Sequence, residues 1–238
     1  MTSGLKRTGS TKQDRKPNPS RKSDAKRIVI VDDHPLFRKG LEELINDSDN
    51  DFAVCGQASD AAQAMSVIRE LKPDLAIVDL SLPGANGIEL IKNIRAEFPK
   101  LPILVLSMHD ESLYALRALR AGAQGYVMKQ EALEKVIGAI DGVFAGRPYL
   151  SPEMSAKLIS SFASGKDESD LTDKLSDREL EILEMIGKGR DVREIAKLLH
   201  LSPKTVETHR AHIKEKLNLA NARQVARYAV QWVDQQTI

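Results

Sequence analysis

The first half of the chain alternates short, wholly apolar runs with longer segments whose apolar residues recur at three- and four-residue spacing. The short runs are rich in valine and isoleucine, which is typical of strands buried on both faces, and the longer segments are typical of amphipathic helices. The predicted strands are residues 27–31, 52–58, 75–79, 102–107 and 124–128. The predicted helices are residues 35–46, 61–72, 87–98, 111–121 and 131–144. This alternation predicts an α/β fold with a five-stranded, doubly wound parallel sheet over residues 27–146.

Four further helical patterns fill the end of the chain, at residues 177–186, 192–199, 203–217 and 222–233. Ser176, Asp191, Ser202 and Asn221 stand just before these patterns, where helix N-caps are favoured. Short helices around one small core, the third longer and more basic, predict a smaller all-α helix-turn-helix domain at residues 173–238. Residues 147–172 are rich in Gly, Pro, Ser and charged residues, and we predict a linker there with a short helix at 152–162.

Charge is distributed unevenly along the 238 residues, although the net charge is only +1. Residues 1–27 carry nine basic and two acidic residues, and residues 1–26 offer so little to bury that we predict a disordered basic tail. The segment from Thr172 onward has a net charge of +2, which leaves −8 for the middle of the chain. The tail either strengthens DNA association electrostatically or only improves solubility.

Several classes of protein are disfavoured by composition. No apolar stretch approaches the roughly 18 residues that a membrane span needs, so we expect no membrane association. The N-terminus lacks the apolar core of a secretory signal, and the single Cys55 has no partner for a disulfide. We therefore expect a cytoplasmic protein.

Acidic residues follow two of the predicted strands directly. Asp32 and Asp33 come after the first strand, and Asp79 ends the third. Parallel strands present their carboxyl ends at one edge of the sheet, which is where open α/β sheets bind ligands. Three carboxylates within about 4 to 5 Å repel each other by roughly 1 to 4 kcal/mol per pair, so the cluster needs a cation. An all-oxygen site of this kind predicts Mg²⁺.

These acidic residues belong to a wider set of motifs. They occur with Val78-Asp79-Leu80-Ser81-Leu82-Pro83-Gly84, Leu106-Ser107 and Gly125-Tyr126-Val127-Met128-Lys129. In this order and at these strand ends, the set resembles the flavodoxin-like receiver domain of bacterial two-component response regulators. The resemblance covers about 120 residues, and it is the combination of motifs that makes it specific.

The resemblance implies a role for each matching residue. Asp79 is expected to accept a phosphoryl group from a phosphohistidine of a sensor histidine kinase. Asp33 is expected to bind Mg²⁺ directly and Asp32 through water, with Asp79 and the backbone carbonyl of Ser81 completing the metal ligands. Lys129 is expected to neutralise a phosphoryl oxygen. Ser107 and Tyr126 are expected to form the switch, in which the Ser107 hydroxyl moves to the phosphoryl group and Tyr126 fills the space it leaves.

Other readings of this edge fit less well. A haloacid-dehalogenase-like phosphatase requires a second carboxylate two residues after the nucleophile, where this chain has Ser81. A nucleotide-binding flavodoxin-like domain wants a phosphate-cradling loop, and Asp32 and Asp33 would repel phosphate there without a metal. His34 and His109 follow strand ends near the acidic residues and could be considered as metal ligands, but we interpret both as ordinary loop or helix-start residues.

The end of the chain carries a second resemblance, which covers about residues 173–234. Leu175 to Leu183, then Gly189, Glu194-Ile195-Ala196 and Ser202 to His209 are similar to the LuxR-type helix-turn-helix. Together with the receiver motifs, they identify the chain as a member of the NarL/FixJ class. Glu179 resembles the buried acidic residue of that family, which has a structural role beside the third helix.

The third helix of this domain is the expected recognition helix. We expect base readout from Glu207, Thr208 and Ala211, and phosphate contacts from Lys204, Thr205, His209, Arg210 and Lys214. Glu207 departs from the basic residue of many family members, and Asp191 and Val192 replace polar residues of the family. The preferred DNA sequence therefore cannot be copied from a relative.

The last helix has a stripe of Val225, Ala229, Trp232 and Val233. Part of this stripe must be core, and the resemblance implies that the same helix pairs two DNA-binding domains on adjacent half-sites. We therefore expect charged residues at Val225 and Ala229 to weaken DNA binding without unfolding the domain.

The sequence predicts a phosphorylation-activated transcriptional regulator that uses Mg²⁺, forms a homodimer when phosphorylated, and binds promoter DNA. Its expected partners are a sensor histidine kinase and RNA polymerase. We expect no enzyme activity beyond dephosphorylation of its own Asp79. One alternative is a true phosphatase acting on other molecules, and another is a phosphorylation-independent regulator with a vestigial receiver.

Overall fold

The computed structural model describes residues 25–164 and 171–236. The predicted disordered tail therefore lies outside the described residues up to residue 24, as does the centre of the predicted linker. Lys26, which the sequence assigned to the tail, begins the first strand and donates its backbone N–H to the Asp51 carbonyl at 2.8 Å.

Strands and helices alternate through the first part of the chain, which we call the sheet unit (residues 26–144). Its elements are β1 (Lys26–Val31), α1 (Pro35–Asn46), β2 (Phe52–Ala58), α2 (Ala61–Leu71), β3 (Leu75–Val78), β4 (Ser81–Leu82), β5 (Ala85–Asn86), α3 (Gly87–Glu97), β6 (Ile103–Ser107), α4 (Glu111–Ala121), β7 (Gly125–Met128) and α5 (Ala132–Phe144). The main strands form one parallel sheet in the order β2-β1-β3-β6-β7. The predicted doubly wound fold is confirmed.

The inner strands β3 and β6 and most of β1 bury both faces because helices cover both sides of the sheet, whereas the edge strand β2 is only partly buried. Val29 and Val31 of β1 pack with α2, α3 and α4, whereas Ile28 and Ile30 pack with α1 and α5. The short antiparallel hairpin of β4 and β5 was not predicted, because two-residue strands leave no periodicity to detect. A 3₁₀ turn at Lys129–Glu131 precedes α5, which begins one residue later than predicted.

Five further helices complete the described chain. They are α6 (Pro152–Ser164), α7 (Asp177–Gly187), α8 (Val192–Leu198), α9 (Pro203–Lys216) and α10 (Ala222–Gln236), and a 3₁₀ turn at Leu171–Lys174 precedes α7. We call residues 177–236 the helical unit. The Ser176, Asp191 and Ser202 side chains accept backbone N–H bonds at the starts of α7, α8 and α9, as predicted. None of the described helices combines the length and the apolar character that crossing a membrane would need.

The stripe on α10 is core, so the prediction that charged residues at Val225 and Ala229 would leave the domain folded was wrong, whereas pairing of two domains through this helix stays a prediction. Val225, Ala229 and Trp232 are 1%, 0% and 4% exposed and belong to the same buried cluster as the apolar residues of α7. A charged side chain at Val225 or Ala229 would therefore unfold the helical unit rather than merely block a dimer contact. The outer face of α10 instead presents Val230, which is 42% exposed.

The helical unit is docked on the sheet unit through α7. Arg117 of α4 donates to the carbonyls of Thr172 and Leu175 at 2.7 and 2.9 Å and pairs with Asp177 at 3.1 Å. Lys92 of α3 reaches the other Asp177 oxygen at 3.0 Å. The apolar core on this face of the sheet continues without interruption into the helical unit.

Removing Arg117 is expected to loosen this docking, because the side chain fastens both the start of α7 and the turn before it. We predict that Arg117→Ala increases the radius of gyration of the full chain measured by small-angle X-ray scattering. Arg120→Ala, one turn further along α4 on an exposed position, is the matched control and should leave the radius unchanged. Equal radii for the two variants would contradict the assigned role of Arg117.

Tight packing of α7 on α10 yields a second prediction. A Cβ at Gly187 would lie 2.5 Å from the Ala229 carbonyl oxygen, whereas a Cβ at Gly138 in α5 meets nothing within 4 Å. Gly187→Ala should therefore destabilise the chain by about 1 to 3 kcal/mol through overpacking. Gly138→Ala should stabilise it by about 0.5 to 1 kcal/mol through helix propensity. Chemical denaturation tests both, and a stable Gly187→Ala would overturn the packing argument.

Candidate phosphoryl and DNA sites

The predicted acidic residues do meet at one edge of the sheet. β1 delivers Asp32 and Asp33, β3 delivers Asp79, and the turn after β7 delivers Lys129. Asp32 and Asp79 are 2% and 1% exposed, and Asp33 is partly exposed. One ligand atom from each of Asp32, Asp33, His34 and Asp79 lies within 4.8 Å of the others. We call the three aspartates the acidic cluster.

Lys129 is the counter-ion of the acidic cluster. Its Nζ lies 2.6 Å from Asp32 Oδ2 and 2.6 Å from Asp79 Oδ2, and its ammonium also stands 4.8 Å from the centre of the Phe37 ring. Burial raises the pKa of Asp79, with Lys129 opposing that rise. Burial lowers the pKa of Lys129, but the two carboxylates outweigh it, and the net shift is upward. One ammonium thus faces an excess of buried negative charge.

The acidic cluster fits a hard divalent cation. Asp33 Oδ1 is buried and makes no hydrogen bond to the described part of the chain, although His34 Nδ1 lies 2.7 Å from it as an ion-pair partner. Three carboxylates with one such unsatisfied oxygen form the oxygen donor set that Mg²⁺ prefers. Ser81 stands next to the cluster, where its backbone N–H donates to Asp79 Oδ1 at 3.2 Å.

Gly87 lets the chain pass close behind Asp79. A Cβ at Gly87 would lie 2.4 Å from the Asp79 carbonyl oxygen and 2.4 Å from Leu80 Cα. The hairpin of β4 and β5 brings Gly87 back to this point, where its N–H donates to the Leu80 carbonyl at 2.9 Å. The backbone around Asp79 is therefore held on both sides by residues that leave little freedom to shift.

Ser107 and Tyr126 lie beside the acidic cluster, and both are buried. Ser107 Oγ accepts the His109 backbone N–H at 3.1 Å, and the Tyr126 hydroxyl donates to the His109 carbonyl at 2.8 Å. The two predicted switch residues are thus connected through the backbone of His109.

His109 was interpreted from sequence as an ordinary loop residue, but its side chain joins the two units. Its ring hydrogen-bonds Ser81 Oγ through Nε2 at 3.1 Å and Glu184 Oε2 of α7 through Nδ1 at 3.2 Å. The Tyr114 hydroxyl donates to the same Glu184 oxygen at 2.8 Å, and the two rings pack with centroids 4.4 Å apart. A continuous set of contacts therefore runs from Asp79 through Ser81 and His109 to α7.

Glu184 and His109 stabilise each other's charged forms. Burial alone would raise the pKa of Glu184, but its bonds to His109, Lys188 and Tyr114 lower it to about 2. Burial lowers the pKa of His109, and Glu184, Glu181 and Asp79 more than compensate and raise it. Glu184 is therefore ionised at neutral pH despite being 4% exposed.

A signal for the docked face of α7 was present in the sequence. Asp177, Glu181 and Glu184 are spaced four and three residues apart and so lie on one face of α7. All three are buried, and each faces a nitrogen donor of the sheet unit: Lys92 or Arg117, Asn86, and His109 respectively. We call this face the acidic stripe. Arg178 and Lys188 also pair with Glu181 and Glu184 from within the helical unit, at 2.8 and 2.6 Å. The contacts with the sheet unit could not be predicted from the pattern of a single helix.

The predicted recognition helix α9 keeps its outer face free of the sheet unit. Lys204, Glu207, Thr208, Ala211 and Lys214 are exposed. Val206 and Ile213 are buried with Ile195 and Ala196, as predicted.

The remaining predicted contacts of α9 are partly buried. Thr205 Oγ1 lies 2.7 Å from Ser202 Oγ at the cap, and Arg210 pairs with Glu207 at 2.9 Å. His209 Nδ1 is buried, and one nitrogen of the His209 ring lies within 4.8 Å of a Glu179 carboxylate oxygen. Glu179 is buried and pairs with Lys216 at 2.6 Å, which agrees with the expected structural role beside α9.

Comparison with protein families gives two matches along the chain. Residues 28–141 match the response regulator receiver domain, and residues 173–229 match the LuxR family of bacterial regulatory proteins.

Individual relatives span nearly the whole described chain. The oxygen regulatory protein NreC of Staphylococcus carnosus is 39% identical over 210 residues, which cover 86% of this chain and 96% of that protein. The RcsB response regulator of Salmonella enterica serovar Typhimurium, solved bound to the promoter rprA with the phosphomimetic BeF₃⁻, is 28% identical. Its TM-score is 0.58, and the match covers 87% of this chain and 99% of that one.

A LuxR-family two-component response regulator from Aurantimonas matches a shorter part, with 38% identity, a TM-score of 0.54 and coverage of 58% of this chain and 99% of that one. Receiver domains in general bind Mg²⁺, and response regulators of this kind bind promoter DNA and dimerise. The fold, the two matched regions and the NreC relationship establish that the chain belongs to the two-component response regulators of the NarL family, which join a receiver domain to a LuxR-type helix-turn-helix.

Proposed function

We propose that this protein is a DNA-binding regulator switched by phosphorylation of Asp79. The observation that carries the proposal is the continuous set of contacts from Asp79 through Ser81 and His109 to Glu184 of α7. It gives the buried acidic cluster a physical route to the helical unit. A vestigial receiver would need neither the orphaned Asp33 oxygen nor the paired Lys129.

The transfer is a nucleophilic displacement at phosphorus. An oxygen of the ionised Asp79 carboxylate forms the new P–O bond while the P–N bond to the histidine of the kinase breaks, and the freed imidazole recovers a proton. Asp32, Asp33, Asp79 and the Ser81 carbonyl would hold Mg²⁺, which supplies charge neutralisation at the phosphoryl oxygens. Lys129 exchanges one of its carboxylate partners for a phosphoryl oxygen. Water later hydrolyses the acyl phosphate, and we expect no other enzymatic reaction.

The consequence for the helical unit follows from the position of Ser107. Its hydroxyl oxygen accepts the His109 N–H in the structure, and a phosphoryl group on Asp79 offers it a stronger acceptor of its own proton. A shift of Ser107 toward that group displaces the backbone of His109, which also holds the Tyr126 hydroxyl. The His109 contact with Glu184 is then weakened, and α7 is released from the sheet unit.

Release of α7 is proposed to act on dimer geometry rather than on access to α9. The outer face of α9 is exposed while the units are docked, so the docked arrangement does not itself cover the DNA-reading residues. Two helical units must instead take positions on adjacent half-sites, and a rigid attachment to the sheet unit restricts that placement. We propose base readout by Glu207, Thr208 and Ala211, and phosphate contacts by Lys204, Thr205, Arg210 and Lys214. His209 is omitted because its Nδ1 is buried.

The proposed partners are a sensor histidine kinase, promoter DNA and a second copy of the chain. RNA polymerase is a further partner, which the DNA-bound protein would contact at the promoter. All of them are available in the bacterial cytoplasm, where we expect the protein to act.

Phosphorylation of Asp79 is tested with acetyl phosphate and intact mass measurement. With Mg²⁺ present, the full chain should gain about 80 mass units, because the carboxylate takes up one phosphoryl group. The gain should vanish in Asp79→Asn and fall strongly in Asp33→Asn or when the metal is chelated. Asp47→Asn, at an exposed position after α1, is the matched control. Labelling that survives in Asp79→Asn would refute the assignment.

Coupling to DNA is tested with Glu184→Gln, which removes the charge facing His109 but keeps the shape of the side chain. Without phosphorylation, this variant should bind a duplex with two half-sites several-fold more tightly than the wild type does. Affinity for a duplex with one half-site should be unchanged, because α9 is already exposed. Glu194→Gln, on the exposed part of α8, is the control. A gain on both duplexes, or on neither, would contradict control through dimer geometry.

A further inference from the structure

A second group of metal-type ligands lies in the helical unit, away from the acidic cluster. Glu179 of α7 and His209 and His212 of α9 each present one ligand atom, and these atoms lie within 4.8 Å of one another. His212 Nδ1 is 3.6 Å from Glu179 Oε1, and the two imidazole rings are perpendicular with centroids 6.4 Å apart. The three side chains thus converge where α7 meets the recognition helix.

Part of the bonding capacity of this group is unused. Glu179 Oε2 accepts from the Ser176 N–H at 2.7 Å and from Lys216 Nζ at 2.6 Å, and Oε1 lies 3.6 Å from His212 Nδ1. His209 Nδ1 is buried and has no hydrogen-bond partner among the described residues. A buried ring nitrogen without a partner is unfavourable, and a bound cation would satisfy it.

The protonation states also suit a metal. Burial lowers the pKa of His209, and the nearby cations Arg178 and Lys216 lower it further against the opposing effect of Glu179. A neutral imidazole is the form that ligates metals. Two imidazoles and one carboxylate are a donor set that Zn²⁺ accepts, with water in the fourth position. The positive charge of Lys216 lowers the affinity of the site for Zn²⁺. Its contact is with Glu179 Oε2, however, which leaves Oε1 available to the metal.

We propose that Glu179, His209 and His212 bind one Zn²⁺ ion that bridges α7 to α9. Zinc ligands stand about 3.3 Å apart at Zn–N and Zn–O lengths near 2.0 Å. His212 Nδ1 already lies 3.6 Å from Glu179 Oε1, and modest rotations of the three side chains would bring their ligand atoms to that spacing. The bridge fixes the recognition helix against the helix that docks on the sheet unit. Zinc therefore adds a second input to DNA binding, independent of Asp79.

The test uses the full chain, titrated with Zn²⁺ by calorimetry and with Co²⁺ by visible absorption. In the Asp33→Asn background, which removes a carboxylate ligand of the acidic cluster, we expect one Zn²⁺ per chain and the intense Co²⁺ bands of a tetrahedral site. His212→Gln and His209→Gln should each weaken Zn²⁺ binding at least tenfold and remove the bands. His200→Asn is the control, because Asn tolerates the positive φ of 53° found there.

The outcomes separate the proposal from its alternatives. Retention of Zn²⁺ binding and of the Co²⁺ bands in His212→Gln would overturn the three-ligand site. Loss of binding in Asp33→Asn alone would assign the metal to the acidic cluster instead. Both histidine variants keep Glu179 and its capping of α7, and their circular dichroism and melting temperature without metal should match those of the wild type. Phosphorylation by acetyl phosphate is unaffected by this result, so the two proposals fail separately.

Discussion

Two buried carboxylates share one ammonium group in this protein, and both cation binding and the proposed switch depend on that charge imbalance. Lys129 Nζ stands 2.6 Å from both Asp32 and Asp79, and Asp33 adds a third acidic side chain with an unsatisfied buried oxygen. Removing carboxylates from water is costly unless opposite charge is close by. The site is therefore poised to take up a cation and to rearrange when a phosphoryl group alters its charge. The backbone of Asp79 and Leu80 packs closely against Gly87, which restricts its movement during that rearrangement.

A rearrangement at the acidic cluster can reach the helical unit through His109. Ser81, Ser107 and Tyr126 all make hydrogen bonds to His109, and the His109 ring contacts Glu184. A side chain that belongs to the sheet unit thus supplies the positive partner for a buried carboxylate of the helical unit. Buried ion pairs are strongly destabilised when one partner is withdrawn, which makes them effective as two-state contacts. The acidic stripe fixes the position of α7 along the sheet unit, because Asp177 pairs with Lys92 and Arg117 at one end whereas Glu184 pairs with His109 at the other.

The sequence predicted the fold well because local signals agreed with the tertiary structure. The apolar runs, the capping residues Ser176, Asp191 and Ser202, and the strand-end aspartates all act over a few residues. Docking could not be predicted in the same way, because Tyr114 and Glu184 are 70 residues apart and neither carries a recognisable motif. The error over Val225 and Ala229 has the same origin: a stripe on one helix shows that a face is apolar, but not whether the same chain or a second copy covers it.

If phosphorylation of Asp79 releases α7, the distance between the two units must change when Asp79 carries a phosphoryl mimic. The full chain, labelled once on an exposed position of α5 and once on the outer face of α10, reports that distance by fluorescence energy transfer. Addition of BeF₃⁻ with Mg²⁺ is expected to lengthen it in the wild type, because the His109 contact to Glu184 is lost. The distance should stay constant in Asp79→Asn. An unchanged distance in the wild type, with BeF₃⁻ shown to be bound, would contradict the account.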